Sequence, residues 1–193
     1  MASTVGHSLA GLCIYALTSK KTFRFQIHQD IKGLAFFAFL ADLPDLDFLI
    51  GITWYGRMNA IHGEITHSLL FLILASSLFG ALPFRPWPFW KRASVVFLLI
   101  GSHDLIDFFT SQNLGLSPAY GIHLFFPFDP ELIGAPVTLF YGVRHKNLDQ
   151  LLSLENVWTV LYEALVFIPL LFFIYRLKRK DHFDADSLDR KDA

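Results

Sequence analysis

One cysteine in 193 residues, Cys13, leaves no internal disulfide to form and no Cys-x-x-Cys pair for metal or redox chemistry. Set in an apolar run, it reads as a buried, inert thiol. Charge is scarce as well: 17% of residues are Asp, Glu, Lys or Arg, against about 25% in an ordinary soluble domain. The net charge of -1 leaves no basic excess, and no basic stretch is interleaved with aromatics, so nucleic acid is set aside as a partner. Met1 to Gly6 holds no Lys or Arg, so the apolar segment that follows lacks the basic leader of a cleaved signal and reads as retained. No internal repeat is present.

Apolar length stands in place of charge. Hydrophobic residues make up 53% and mean hydropathy is +0.44, which points to a membrane. Five apolar segments stand out: Val5 to Leu17, Gly33 to Ile52, Ser68 to Leu82, Ala93 to Phe109 and Val157 to Tyr175. The expected fold class is all-α, a polytopic membrane helical bundle of about five hydrophobic segments. Residues 1–176 are expected to form the membrane-embedded domain with the metal site, and 177–193 a charged, disordered cytoplasmic tail. Val157 to Tyr175 is the cleanest span, with Glu163 and Pro169 as its exceptions. Val5 to Leu17 would cover about 20 Å of a roughly 30 Å hydrocarbon core, so it is expected to be partly embedded. Ser111 to Asn156, punctuated by Gly and Pro yet rich in Phe, reads as a lid or re-entrant segment.

Histidines and acids interrupt these segments in a pattern. GSHDLIDFFT puts His103 and Asp107 one helical turn apart on one face, close enough to share an ion. ADLPDLDFL brings Asp42, Asp45 and Asp47 around Pro44, which breaks or kinks the helix, and Asp42 alone reads equally well as a cap. HGEITHS supplies His62, Glu64 and His67, and His7 opens the first segment. A carboxylate in such surroundings costs several kcal/mol unless a cation, a donor or water meets it. His123, in GIHLFFPFD, lies within reach of the others, while His145 sits between Arg144 and Lys146 and reads as solvated.

The positive-inside rule tests whether these groups can meet. With five segments and the N-terminus outside, Lys20, Lys21, Arg24, Lys32, Arg85, Lys91, Arg92, Arg176, Lys178, Arg179, Lys180, Arg190 and Lys191 fall inside. Arg57, Arg144 and Lys146 fall outside. The same arrangement gathers His7, Asp45, Asp47, His62, His67, His103 and Asp107 at the outer face, with the C-terminus cytoplasmic. His28 and His182 land on the other side and read as solvated bystanders.

Imidazole and carboxylate without thiolate are the ligands of hydrolytic zinc, manganese or iron sites. The metal ligands expected are His7, Asp45, Asp47, His62, His67, His103, Asp107 and His123, enough for two divalent ions, zinc first. The chemistry favoured is hydrolysis of a phosphoester or other ester, lipid esters included, by metal-activated water. Glu64 and Asp104 are the expected general bases or partners that fix a histidine tautomer. Two other readings stay open: a non-catalytic metal-binding protein of structural or regulatory role, and an ion transporter.

The ordered set GHSLAGL, LADLPDLDFL, HGEITHSLL and SHDLIDFFT, followed by the Gly and Pro-Phe element at Gly121 to Phe128, resembles the YdjM-like bacterial inner-membrane proteins, a family described as metal-dependent hydrolases. The resemblance runs from about His7 to Phe128 and implies a multi-pass inner-membrane protein. A more remote likeness is to the helical core of zinc-dependent phospholipase C and P1 nuclease. It implies His7, Asp45, His62 or His67, His103 and Asp107 as zinc ligands. The chain departs from that core in having Met1 six residues ahead of His7 and no second His-x-x-x-acid pair after Asp107.

Overall fold

The computed structural model describes residues 1–19, 27–57, 59–145 and 148–189. Among these residues six α-helices follow in chain order: α1 (Thr4–Thr18), α2 (Ile27–Ala41), α3 (Asp47–Tyr55), α4 (Leu69–Ala81), α5 (Phe89–Phe108) and α6 (Leu154–Asp189). The basic residues Lys20, Lys21, Arg24, Lys146, Arg190 and Lys191, counted in the charge argument, lie outside the described residues, as do the side chains of His28 and His182.

Local chemistry sets the helix starts. Ser3, extended at φ -88 and ψ 152, caps α1 by accepting a bond from the Gly6 amide. Ser68 caps α4 in the same way, accepting from the Phe71 amide. Between α2 and α3, Pro44 sits in a 3-10 turn over Leu43–Leu46, so the second apolar segment is broken where its three acids cluster. α4 and α5 form an antiparallel hairpin, which puts His67 and Asp107 at one end and Arg85, Lys91 and Arg92 at the other.

The main core lies between α1, α2, α4 and α5, built from Tyr15, Phe37, Leu40, Leu72, Val96, Leu99 and Ile100. A second cluster joins α1, α5 and α6 through Ala10, Cys13, Ile106, Phe167 and Ile174, so Cys13 is indeed buried. Along α5 the buried stripe reads Val96, Leu99, Ile100, His103, Asp107: the helical period that packs the core also carries the metal-type residues inward.

Among the described residues one helix, not about five, is long and apolar enough to cross a membrane: Leu154–Lys178 of α6. α1 and α4 are apolar but only 15 and 13 residues long, about 20 Å of rise. The second segment is cut at Pro44, and the 20-residue α5 carries Lys91, Arg92, Asp104 and Asp107. α6 continues as helix through Asp189, past the boundary at 176 expected from the sequence.

The connection 109–153 folds over the site end of the bundle. Thr110–Ser111 (β1) pairs in parallel with Phe140–Tyr141 (β2), and Ile122 exchanges backbone bonds with Ile133 at 3.0 Å. Gly121 makes that ladder possible: its φ is +85, and a Cβ there would lie 2.9 Å from the Ile133 carbonyl carbon. The Leu69 amide donates to the Leu124 carbonyl at 2.9 Å, pinning this lid to the start of α4.

Candidate metal centre

Four pieces of chain meet at the site end: the start of α1, the 3-10 turn 43–46, the turn 65–67 and the last turn of α5. They bring together His7, Asp45, His67, His103 and Asp107, of which both imidazoles of His7 and His103 are fully buried. The two rings stack, centroids 3.6 Å apart at 17°.

The hydrogen bonds behind the histidines fix where their protons are. His103 Nδ1 is 2.8 Å from the Ala41 carbonyl oxygen, which can only accept, so Nδ1 holds a proton and Nε2 is left to the cluster, with a lone pair in the neutral ring and a second N–H in the imidazolium. Thr66 Oγ1 donates to Asp47 Oδ2 at 2.6 Å and is therefore the acceptor for His67 Nδ1 at 3.1 Å. His67 Nε2 is likewise left to the cluster, and it faces His103 Nε2 at 3.1 Å. Asp45 Oδ1 stands 3.3 Å from His103 Nε2 and 3.8 Å from His67 Nε2, and Asp107 Oδ2 stands 3.6 and 3.5 Å from the same atoms. Two ring nitrogens and two carboxylate oxygens converge. A buried centre of that kind requires a positive charge, which a proton on an imidazole or a metal ion supplies.

The donor set suits a divalent metal. Three groups have ligand atoms within 4.8 Å of one another: His7, His103, Asp107; Asp45, His67, His103; and Asp47, His62, His67. His67 and His103 each belong to two groups, but each has only Nε2 left to offer, so each could hold one ion and the groups overlap as alternatives. His7 Nδ1, Asp45 Oδ2 and both oxygens of Asp104 are buried with no hydrogen-bond partner. The residues present fit the group that the donor chemistry implies.

Asp47 stands differently from Asp45. It accepts from His62 Nδ1 at 2.8 Å, the Gly63 amide at 3.2 Å and Thr66, so its oxygens already have donors. Its evident work is to orient two histidines: His62 directly and His67 through Thr66. His62 is also stacked on Phe48 at 3.9 Å. Asp42 makes no cap bond and instead accepts from Ser8 Oγ at 2.5 Å.

A cavity of about 250 Å³ lies over the cluster, reached by His62, His67, Asp107, His123 and His145, with Ile122 and Leu132 as its apolar wall. His123 belongs to this cavity and to none of the three ligand groups; its Nδ1 donates to the Pro130 carbonyl at 2.8 Å. Glu64 also belongs to none of them and lies on the half-buried turn before His67. His145, read as solvated, instead packs edge-on against Phe48 and His62 and bonds Asn59 at 2.9 Å. Burial drops its pKa to about 4.

Two contributors were not found from the sequence. Glu163, fully buried on α6, accepts from the Ser3 amide at 2.8 Å and from the Ser3 hydroxyl. The neighbouring Ala2 amide donates to Asp107 Oδ1 at 2.6 Å. Successive peptide groups thus tie α6 to a ligand-type carboxylate. The signal was a carboxylate in the middle of an apolar helix, which is costly without a partner.

The family model for the YdjM inner membrane protein matches residues 1–181. The chain belongs to the YdjM inner membrane protein family. An inner-membrane location follows, and the apolar Leu154–Lys178 is the helix suited to it. No curated protein and no solved structure matches the chain, so the remote likeness to phospholipase C and P1 nuclease gains no support from either comparison. The motifs that suggested YdjM from the sequence are the same stretches that meet at the cluster.

Proposed function

We propose that this YdjM family member is a membrane-bound, metal-dependent hydrolase of phosphoesters or other esters, lipid esters among them. The observation that carries the reading is the pair of facing Nε2 atoms of His67 and His103, 3.1 Å apart between Asp45 and Asp107. His7, Asp45, His67, His103 and Asp107 hold the metal, two zinc ions by the count of donors, with manganese or iron as the other candidates. His62, supported by Asp47, completes the set toward the cavity. Divalent ions bound there supply a water of lowered pKa and a clamp for the ester oxygens. Asp104 is the proton acceptor in this reading, supported by two buried oxygens that have no hydrogen-bond partner, although it belongs to none of the three ligand groups. Ile122 and Leu132 exclude water from one wall of the cavity, and His123 and His145 offer ring nitrogens to a polar substrate at its mouth.

The site faces the outer side in this reading. The hairpin of α4 and α5 supports it, because Arg85, Lys91 and Arg92 lie at the end opposite the cluster, where cytoplasmic basic residues belong. The shorter helices then enter the bilayer beside α6 as a multi-pass bundle. Elemental analysis of detergent-purified protein, beside the His103→Ala, Asp107→Ala double variant, tests the centre: near-stoichiometric metal lost in the variant is expected. A wild type that binds no transition metal after reconstitution, with the centre charged by a proton instead, overturns it.

A non-catalytic reading has its own observation. The ligand residues come from four separate pieces of chain, so an ion would cross-link them whether or not it reacts. Metal-dependent thermal stability with no turnover on a phosphoester and lipid ester panel would select that reading. Transport is disfavoured by the gathering of the polar residues at one end of the bundle.

A further inference from the structure

Away from the metal cluster, a second cavity of about 290 Å³ opens where the membrane helix begins. It is lined by Arg144, Glu155, Trp158 and Tyr141 together with Gln112 and Asn113. Glu155 and Trp158 lie in the first turns of Leu154–Lys178, so with that helix across the bilayer the cavity falls at headgroup depth, above the exposed side of α6. Leu161 and Leu165 on that helix are 52% and 72% exposed. Trp158, 69% exposed, is the interfacial aromatic expected at such a level.

The cavity is built rather than incidental. Arg144 is fixed by its backbone: its amide donates to Asn156 Oδ1 at 2.7 Å, and Asn156 Nδ2 donates back to its carbonyl at 2.9 Å. Asn156 is buried, and the same Nδ2 reaches the Gln150 carbonyl at 3.0 Å. The Arg144 side chain meets Glu155 at 2.8 Å through one guanidinium nitrogen, and the two side chains remain 50% and 57% exposed. A guanidinium has five donors and a carboxylate about four acceptor sites, so each keeps capacity for a ligand without the pair opening.

We propose that this cavity is a binding site for the headgroup of a zwitterionic phospholipid bearing a phosphate and an ammonium. The phosphate takes Arg144 and the side-chain NH2 groups of Gln112 and Asn113; the ammonium takes Glu155 and the face of Trp158. The paired charges favour a zwitterion over an anionic lipid, because Glu155 repels a second negative group. The volume lies at the small end of ligand pockets and suits a headgroup whose chains run down α6. The assignment does not depend on the metal centre, although adjacent residues, Arg144 and His145, line the two cavities.

The test uses the full chain in detergent and measures affinity for dihexanoyl phosphatidylethanolamine, dihexanoyl phosphatidylglycerol and free phosphoethanolamine, read as shift in apparent Tm against concentration. The ethanolamine lipid is expected to bind at least fivefold tighter than the other two. Arg144→Gln and Glu155→Gln are each expected to weaken it about tenfold, the loss of one charged hydrogen bond, with unliganded Tm nearly unchanged because the Arg144 backbone is held by Asn156. Equal binding of the glycerol lipid, equal binding of free phosphoethanolamine, or full binding by both variants would each overturn the proposal. If either variant lowers the unliganded Tm, Trp158→Leu replaces it, with the same tenfold loss expected and retained binding counting against the site.

Discussion

Glu163 and Gly6 make a contact whose energetics can be worked from geometry. A Cβ built on Gly6 would lie 2.6 Å from both Cδ and Oε2 of Glu163. Gly6→Ala therefore forces the carboxylate off the Ser3 amide or moves α1 from α6, at a cost of about 1–3 kcal/mol, as for overpacking. Glu163→Ala leaves the buried Ser3 amide without an acceptor, also about 1–3 kcal/mol. If the two effects were independent, the double variant would lose about 2–6 kcal/mol. The geometry says otherwise: the new methyl enters space that the carboxylate has left. The double variant should cost about 1–2 kcal/mol less than the sum, which for a chain of this size is a Tm some 2–8 °C above the additive value. Apparent Tm of the four proteins in one detergent, metal-free and metal-loaded, measures it. A second readout concerns Asp107, since the same residues hold Ala2 against Oδ1: Glu163→Ala should weaken metal binding severalfold, and Glu163→Gln, which keeps an acceptor for Ser3, should restore it. Additive Tm losses, or a metal affinity indifferent to Glu163, would refute the reasoning.

Asp104→Asn should lower turnover of a phosphoester by a hundredfold or more with metal content unchanged, while Glu64→Gln changes it less than twofold; the reverse order, read by kcat at matched metal loading, moves the proton acceptor to Glu64. Asp45→Asn should cost more metal affinity than Asp47→Asn, because Asp45 Oδ2 has no hydrogen-bond partner and Asp47 is already met by three donors. A periplasmic reporter fused after Leu116 should be active and one fused after Lys180 silent, and the opposite pattern inverts the orientation. His145 is held neutral: its folded pKa of about 4 lies below the unfolded value near 6.5, so protonation favours unfolding. Its contribution is present above pH 6.5 and is lost as pH falls from 6.5 toward 4, so in metal-free protein His145→Asn should flatten the fall of Tm across that window.

How far the sequence reaches depends on the kind of information each residue carries. His103 and Asp107 were legible because a four-residue spacing on an apolar helix has one geometric meaning, and the fold keeps it by running the core stripe of α5 straight into them. Pro44 announced the break that lets Asp45 and Asp47 leave the helix direction. The number of spans was not legible. Hydrophobicity marks what is buried, and α1, α2 and α4 bury theirs against one another in the core around Tyr15, Phe37 and Leu72 as well as outward. The difference between Asp45 and Asp47 was hidden for another reason. Two acids in PDLD look alike along the chain, and their roles are decided by donors that arrive from 15 to 19 residues away: His62, Gly63 and Thr66. The same applies to Glu163, whose partner Ser3 is 160 positions distant. Ligand-type residues show themselves by local spacing, whereas the groups that aim them are chosen by tertiary contact. That division explains why the sequence could nominate the centre, and only the fold could show that Asp45, and not Asp47, is the carboxylate left without a hydrogen-bond donor.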